Sequence, residues 1–226
     1  MTDSKAPKIV GVILSPADFQ KAVRMRRPPD LFELRLDFLA RHLPDVEKAI
    51  ARLPAPLIIT ARHPREGGSN QLSARKRHVL LRRFLPHASY VDIELRSAGK
   101  FVAVLAEARA KGVGTIISFH DFDETPSRPR LDEIARATRS LGADLLKIAT
   151  RTDTQAQFSR LLEFFLETSV QLPIAAMGVG RLGRTARRAL LKQGSILNYV
   201  HLGRTRIGGQ PSLSQIRRWM AACENV

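Results

Sequence analysis

The fold turns on Ile9-Val10-Gly11-Val12-Ile13-Leu14-Ser15-Pro16-Ala17-Asp18. Six consecutive residues without a polar side chain read as a short buried strand, and Ser15-Pro16 opens a helix. Strand followed by helix is the repeating unit of a parallel sheet. Two architectures are built from it, and they differ at this first turn. A doubly wound open sheet usually carries a glycine-rich phosphate turn after its first strand. Ser15-Pro16-Ala17-Asp18 contains no glycine, which favours the closed alternative, a (β/α)8 barrel.

Working outward, the same unit recurs to the end of the chain. Strand-like runs are read at Leu31–Leu39, Leu57–Arg62, Tyr90–Leu95, Thr115–Phe122, Ala143–Thr150, Pro173–Val179 and Ile196–Leu202. Helical patterns follow them at Pro44–Leu53, Ser73–Leu85, Phe101–Lys111, Arg130–Leu141, Asp153–Thr168, Thr185–Lys192 and Ser212–Ala222. With the first pair this makes eight units, and no shift in composition marks a linker. The expected architecture is α/β, one (β/α)8 TIM-barrel domain over residues 1–226. Its site belongs at the C-terminal ends of the strands.

The bulk properties narrow the function. In 226 residues, 44% are hydrophobic and 26% charged, ordinary values for a protein with a real core. No apolar run approaches the roughly 18 residues of a membrane span, and the polar start, Met1 to Lys8, lacks a signal core. Cys223 is the single cysteine, which removes disulfide scaffolds and cysteine metal sites. A cytoplasmic protein is the default expectation. The formal net charge of +16 is unusual and raises nucleic-acid binding. However, the arginines lie along the helices, no aromatic residues interleave with them, and only one Trp and two Tyr are present. Solvated basic faces and a small anionic ligand are the preferred reading.

Polar residues on the strands point to chemistry. Lys147 falls in the apolar run Ala143–Thr150. Burying an ammonium is costly, so such a lysine usually sits at a strand end and reaches for water. The alternative is a desolvated amine that attacks a carbonyl carbon and forms a Schiff base. Its company favours the second reading. Glu33, Arg35 and Asp37 alternate on one face of the second strand. Arg62 ends the third strand, with Glu66 four residues on. Asp92 and Glu94 share a face of the fourth, and Ser118 and His120 share a face of the fifth. Gly183-Arg184-Thr185-Ala186-Arg187 begins a helix after the seventh strand, suited to an anion. Gly208-Gly209-Gln210-Pro211-Ser212 follows the eighth as a flexible turn able to close over a ligand.

In order along the chain, these segments resemble the type I 3-dehydroquinate dehydratases. Glu33-Leu34-Arg35-Leu36-Asp37 is similar to that family's Glu-x-Arg-x-Asp strand, and Thr60 to Gly68 to its Thr-x-Arg-x-x-x-Glu-Gly-Gly segment. Asp92-Ile93-Glu94 fits the fourth strand. Ser118 to Phe122 with Thr125-Pro126 resembles the segment of the catalytic histidine, and Lys147-Ile148-Ala149 that of the Schiff-base lysine. Val179 to Arg187 resembles Met-Gly-x-x-Gly-x-x-Ser-Arg, with Val and Ala in place of Met and Ser. Gly209-Gln210 ends a segment similar to the family's Pro-Gly-Gln lid.

The resemblance implies a reaction and its residues. Lys147 forms an imine with the substrate ketone. His120 moves the protons, so that water leaves by syn elimination and 3-dehydroquinate becomes 3-dehydroshikimate. Glu66 orients His120, and Arg187 pairs with the substrate carboxylate. Glu33, Arg35, Arg62 and Gln210 hold the hydroxyls and carboxylate. No metal or organic cofactor is implied, because the imine is the electron sink. A homodimer is implied as well. The sequence departs from the family at the lid, with Arg206 in place of a substrate-contacting serine and Gly208 in place of proline. Arg206 either adds a carboxylate contact or faces solvent, and Gly208-Gly209 is expected to loosen the lid. Arg184 competes with Arg187 for the binding role, although Arg187 fits the spacing better. A first strand beginning near Ile9 leaves little room for the family's N-terminal hairpin.

Two other functions share parts of this pattern. Another Schiff-base barrel enzyme, such as a class I aldolase, needs Lys147 but not the His120–Glu66 pair. A non-catalytic nucleic-acid-binding barrel would answer only to the charge.

Overall fold

The computed structural model describes residues 6–203, 205 and 207–224, with side chains described up to residue 222. The lid residue Arg206 therefore lies outside the described residues. Eight parallel strands form the sheet: β1 (Lys8–Ile13), β2 (Leu31–Arg35), β3 (Leu57–Thr60), β4 (Tyr90–Glu94), β5 (Gly114–Asp121), β6 (Leu145–Arg151), β7 (Ile174–Val179) and β8 (Leu197–His201). Each strand pairs with the next, and β1 also pairs with β8, giving the order β7-β6-β5-β4-β3-β2-β1-β8. At the seam, Ile196 N donates to Ile174 O at 3.2 Å. The result is a nearly closed (β/α)8 barrel. Among the described residues the first element is β1, with no hairpin ahead of it.

The helices are α1 (Pro16–Val23), α2 (Leu43–Ala49), α3 (Ala74–Phe84), α4 (Val102–Ala110), α5 (Arg128–Ser140), α6 (Gln155–Glu167), α7 (Gly183–Lys192) and α8 (Leu213–Glu224). Local chemistry fixes several starts. Ser15 accepts from Asp18 N ahead of α1, with Pro16 at the first helical position, and Thr154 and Gln157 form a capping box on α6. Such caps stabilise a helix by roughly 1 kcal/mol. Phe32, Leu34, Ile59, Leu81, Phe84 and Phe101 belong to the apolar cluster between the helices and strands β2 to β5.

The barrel interior is stratified by the period-two alternation of the strands. Val10, Leu31, Ile58, Ile116, Leu145 and Leu197 fill its lower part with apolar side chains. Two residues further along the strands come Glu33, Thr60, Asp92, Ser118, Lys147 and Tyr199, all buried. The change from a hydrocarbon floor to a polar layer puts the chemistry at the C-terminal end.

Two expectations need correction. Strand β2 ends at Arg35, not near Leu39. Asp37 turns back so that its carboxylate accepts from Arg35 Nε at 3.0 Å and Nη2 at 2.9 Å. The basic pattern of α3 is also not wholly solvated. Arg77 shares a helix face with Leu81 and Phe84 and is buried with them. Other arginines on the helices are exposed and paired, as in Arg82–Glu107, Arg83–Glu47 and Arg130–Glu133. No helix among the described residues is long and apolar enough to cross a membrane.

Candidate active site

Lys147 is not a lysine reaching for solvent. It is 4% exposed, and its Nζ donates to Glu33 Oε1 and to Asp92 Oδ2, each at 3.0 Å. The same nitrogen stands 3.9 Å from the centre of the Tyr199 ring, close enough for a cation–π contact. Arg62 grips Asp92 with both arms, at 2.9 and 2.8 Å, and approaches Glu94 at 3.4 Å and Glu33 at 3.7 Å. Arg77 reaches Glu94 from outside the barrel. Three carboxylates thus meet three cations in the barrel wall, and this mutual pairing makes the burial tolerable. Burial pushes the Asp92 carboxyl up, but Arg62 and Lys147 outweigh it and hold it below the usual range. Burial also opposes the Arg62 charge, and Asp92, Glu94 and Glu33 together override that.

His120 ends the inward face of β5. Its Nδ1 lies 3.0 Å from Glu66 Oε2, and the same oxygen accepts the His120 backbone N–H at 3.0 Å. Glu66 sits on the short helical turn Pro64–Glu66. That turn is tied down at both ends: His63 N donates to Glu94 Oε1 at 2.8 Å, and Gly68 N donates to His63 O at 3.1 Å. Gly68 must be glycine, because a Cβ there would lie 2.3 Å from Arg62 O. Burial lowers the His120 pKa well below its ordinary value, with Arg62 and Lys147 adding to the effect. Burial raises Glu66 to about 7 against the pull of Arg62. The imidazole is therefore neutral near neutral pH, and an ionised Glu66 keeps the hydrogen on Nδ1 and the lone pair on Nε2.

These groups line one pocket of about 540 Å³, together with Glu33, Arg35, Arg62, Arg187 and Gln210. The structure thus brings together every site residue expected from the sequence that falls among the described residues. Arg35 also donates to Gly67 O at 2.9 Å, which ties the Glu66 turn to β2. The two candidate arginines on α7 differ in position. Arg184 faces solvent, whereas Arg187 is buried, lines the pocket and donates to Gly178 O at 2.9 Å. Burial lowers the Arg187 pKa to about 10, which leaves it cationic.

The sequence marked Asp92 only as sharing a strand face with Glu94, gave it no role, and did not mark Tyr199 at all; both contact Lys147. Period-two spacing from Glu94 marks Asp92 as inward-facing. Nothing local to Tyr199 marks it, apart from its parity with Leu197. The Tyr199 hydroxyl is buried without a hydrogen-bond partner among the described residues.

Gly208 and Gly209, among the described residues of the lid, lie against neighbouring backbone. Gly180 N donates to Gly208 O at 3.1 Å. Gly209 has φ +84°, and a Cβ there would stand 2.7 Å from the carbonyl carbon of Gly183. These glycines permit close packing of the lid on the start of α7. Gly209→Ala is expected to impose strain of about 1–3 kcal/mol on the lid. KM should rise about tenfold while the thermal midpoint changes little; an unchanged KM would mean that the lid does not close on substrate.

Comparison with known proteins bears on this arrangement. The family described as Type I 3-dehydroquinase matches residues 6–225. The chain belongs to the type I 3-dehydroquinase family. A 3-dehydroquinate dehydratase of Thermococcus onnurineus is 32% identical over 215 residues, covering 93% of this chain and 95% of that protein. A bifunctional chloroplastic 3-dehydroquinate dehydratase/shikimate dehydrogenase of Arabidopsis thaliana is 30% identical, covering 83% of this chain. The chain spans 32% of that longer relative. The crystal structure of 3-dehydroquinate dehydratase from Geobacillus kaustophilus superposes with a TM-score of 0.85 at 25% identity, covering 97% of this chain and 91% of that one. As a type I 3-dehydroquinase the chain is a hydro-lyase, removing water from 3-dehydroquinate.

Proposed function

We propose that Lys147, His120 and Glu66 carry this dehydration. The observation that supports it is the convergence of a buried amine and a carboxylate-oriented imidazole on one arginine-lined pocket. Lys147 Nζ adds to the substrate ketone, and loss of water gives an imine. Glu33 lies 3.0 Å from Nζ and is placed to take the amine's proton, since Asp92 is committed to Arg62. His120 Nε2 removes the proton from the adjacent carbon, and the electron pair moves toward the imine nitrogen. The same histidine then protonates the departing hydroxyl, the pair returns to form the ring double bond, and water leaves. Hydrolysis of the imine frees Lys147 and 3-dehydroshikimate.

Arg187 and Arg35 are read as partners of the substrate carboxylate, with Glu33, Arg62 and Gln210 holding hydroxyls. Arg206 is assigned to the lid contact on the sequence pattern alone. Residues 1–226 are read as one domain, acting in the cytoplasm as a homodimer in the shikimate pathway, a reading that rests on the resemblance of the motifs. The test is borohydride reduction with 3-dehydroquinate present, followed by intact mass and peptide mapping. A reduced adduct on Lys147 is the expected result. Full turnover without any adduct would remove the imine from the mechanism.

A further inference from the structure

Glu66 is the wall between two cavities. On one side is the pocket containing Lys147. On the other is a cleft of about 590 Å³ that opens between the loops after β3, β4 and β5. Glu66, Gly67, His120 and Phe122 line both. The two carboxylate oxygens divide accordingly. Oε2 faces His120. Oε1 faces the guanidinium of Arg96, whose Nε lies 3.6 Å away. Arg96 follows the end of β4 and its side chain is 44% exposed, against 5% for Glu66. A half-exposed cation thus touches a buried carboxylate from the side away from substrate.

From this geometry we propose that Arg96 is a positioning residue for the dehydration: it grips the far oxygen of Glu66 from the second cleft and holds the charged carboxylate toward His120. The inference rests on the roles proposed for Glu66 and His120. Other charges also face Glu66. Arg62 approaches from the end of β3, Glu94 from β4 and His120 from β5, while Arg65 and His63 share its own turn. Lys147 and Asp92 lie beyond Arg62 on the pocket side. Asp121, Asp123 and Arg130 line the outer cleft. Burial and Glu94 push the Glu66 pKa up, whereas Arg62 and Arg96 pull it down. Of these two cations, Arg62 is already bound to Asp92. Among the described residues, Arg96 has Glu66 as its ion-pair partner. It is also the cation that solvent ions can reach, so its influence is open to screening.

The sign follows. A carboxylate that must be ionised to orient His120 gives an activity that rises as pH climbs through its pKa. Removing a neighbouring cation moves that rise to higher pH. Because the pair is partly solvated, the displacement is set at about half a unit to one unit.

The experiment compares pH–rate profiles of the wild-type enzyme, Arg96→Gln, Arg96→Lys and Glu66→Gln, at about 0.05 M and about 1 M sodium chloride. In low salt the acid limb of Arg96→Gln should lie half a unit to one unit above wild type, with a plateau rate within about twofold of it. Arg96→Lys should recover most of the shift. High salt should move the wild-type limb in the same direction and leave that of Arg96→Gln in place. Coincident limbs for wild type and Arg96→Gln in low salt would overturn the proposal. If Arg96→Gln fails to fold, the wild-type salt shift decides, and its absence would overturn the proposal equally. Glu66→Gln separates the two levels. A limb that survives in Glu66→Gln removes Glu66 from the mechanism, whereas a limb lost there but unmoved in Arg96→Gln rejects Arg96 alone.

Discussion

Lys147→Ala is expected to lower kcat on 3-dehydroquinate by about four orders of magnitude or more, the scale on which covalent enzymes respond to loss of the nucleophile. The borohydride-trapped adduct should vanish with it. The substitution also leaves Glu33 and Asp92 without the cation they share at 3.0 Å. Breaking a buried pair from one side costs about 3–5 kcal/mol. The cost here should fall toward the lower end, because Arg62 still bonds Asp92 and Thr60 still donates to Glu33. Lys147→Met, which keeps the side-chain length beneath the Tyr199 ring, controls for the cavity. Following appearance of the enone product by absorbance and the fold by circular dichroism separates the two effects. A folded Lys147→Met enzyme within tenfold of wild type would show that no covalent amine is needed.

The architecture was legible because each strand of a barrel announces itself twice, once by an apolar run and once by the helix that follows. The floor was legible for the same reason, since Val10, Leu31, Ile58, Ile116, Leu145 and Leu197 are all hydrocarbon. The active layer was legible as a set of anomalies. Lys147, Asp92, Glu33 and His120 are polar at positions where a barrel strand should be apolar; Lys147, Glu33 and His120 line the pocket, and Asp92 bonds Lys147 from within the barrel. What the sequence could not convey was which charges meet. Asp37 alternates correctly with Arg35, yet it leaves the strand and curls back on it, because a bidentate carboxylate–guanidinium pair outweighs one more residue of extended chain.

The arginines expose a second limit. Arg77 stands in Ser73-Ala74-Arg75-Lys76-Arg77, which by composition reads as a solvated basic face. Its spacing to Leu81 and Phe84 is i, i+4, i+7, the pattern of the buried face. Inside, it donates to Ala61 O and to Ser97 Oγ, pairs with Glu94 and lies 4.9 Å from the Phe101 ring. Periodicity was the better guide there, and composition the worse. Arg96 carried no signal of either kind. Its position is set by the turn after β4, and only the fold brings that turn behind Glu66.

His120→Ala should slow net turnover by about 10²- to 10⁴-fold, the usual contribution of a positioned acid–base group, while leaving the imine able to form. The argument rests on the separation of the two groups. Lys147 draws on Glu33 and Asp92, and His120 on Glu66, so loss of the imidazole leaves the hydrogen bonds of the amine intact. Burial, Arg62 and Lys147 hold the imidazole neutral near neutral pH. Conversion of Lys147 to a protonated imine keeps a positive charge in the same place, which maintains that neutrality and stabilises the carbanion. The base and its electron sink therefore work as one electrostatic unit. In His120→Ala the sink remains and the base is gone, so substrate should accumulate as imine. Borohydride should then trap more adduct on Lys147 than in the wild-type enzyme at equal times, while product formation nearly stops. Turnover at the wild-type rate would assign the proton transfer to another group. A folded variant that yields no adduct would place His120 in imine formation as well as in the elimination.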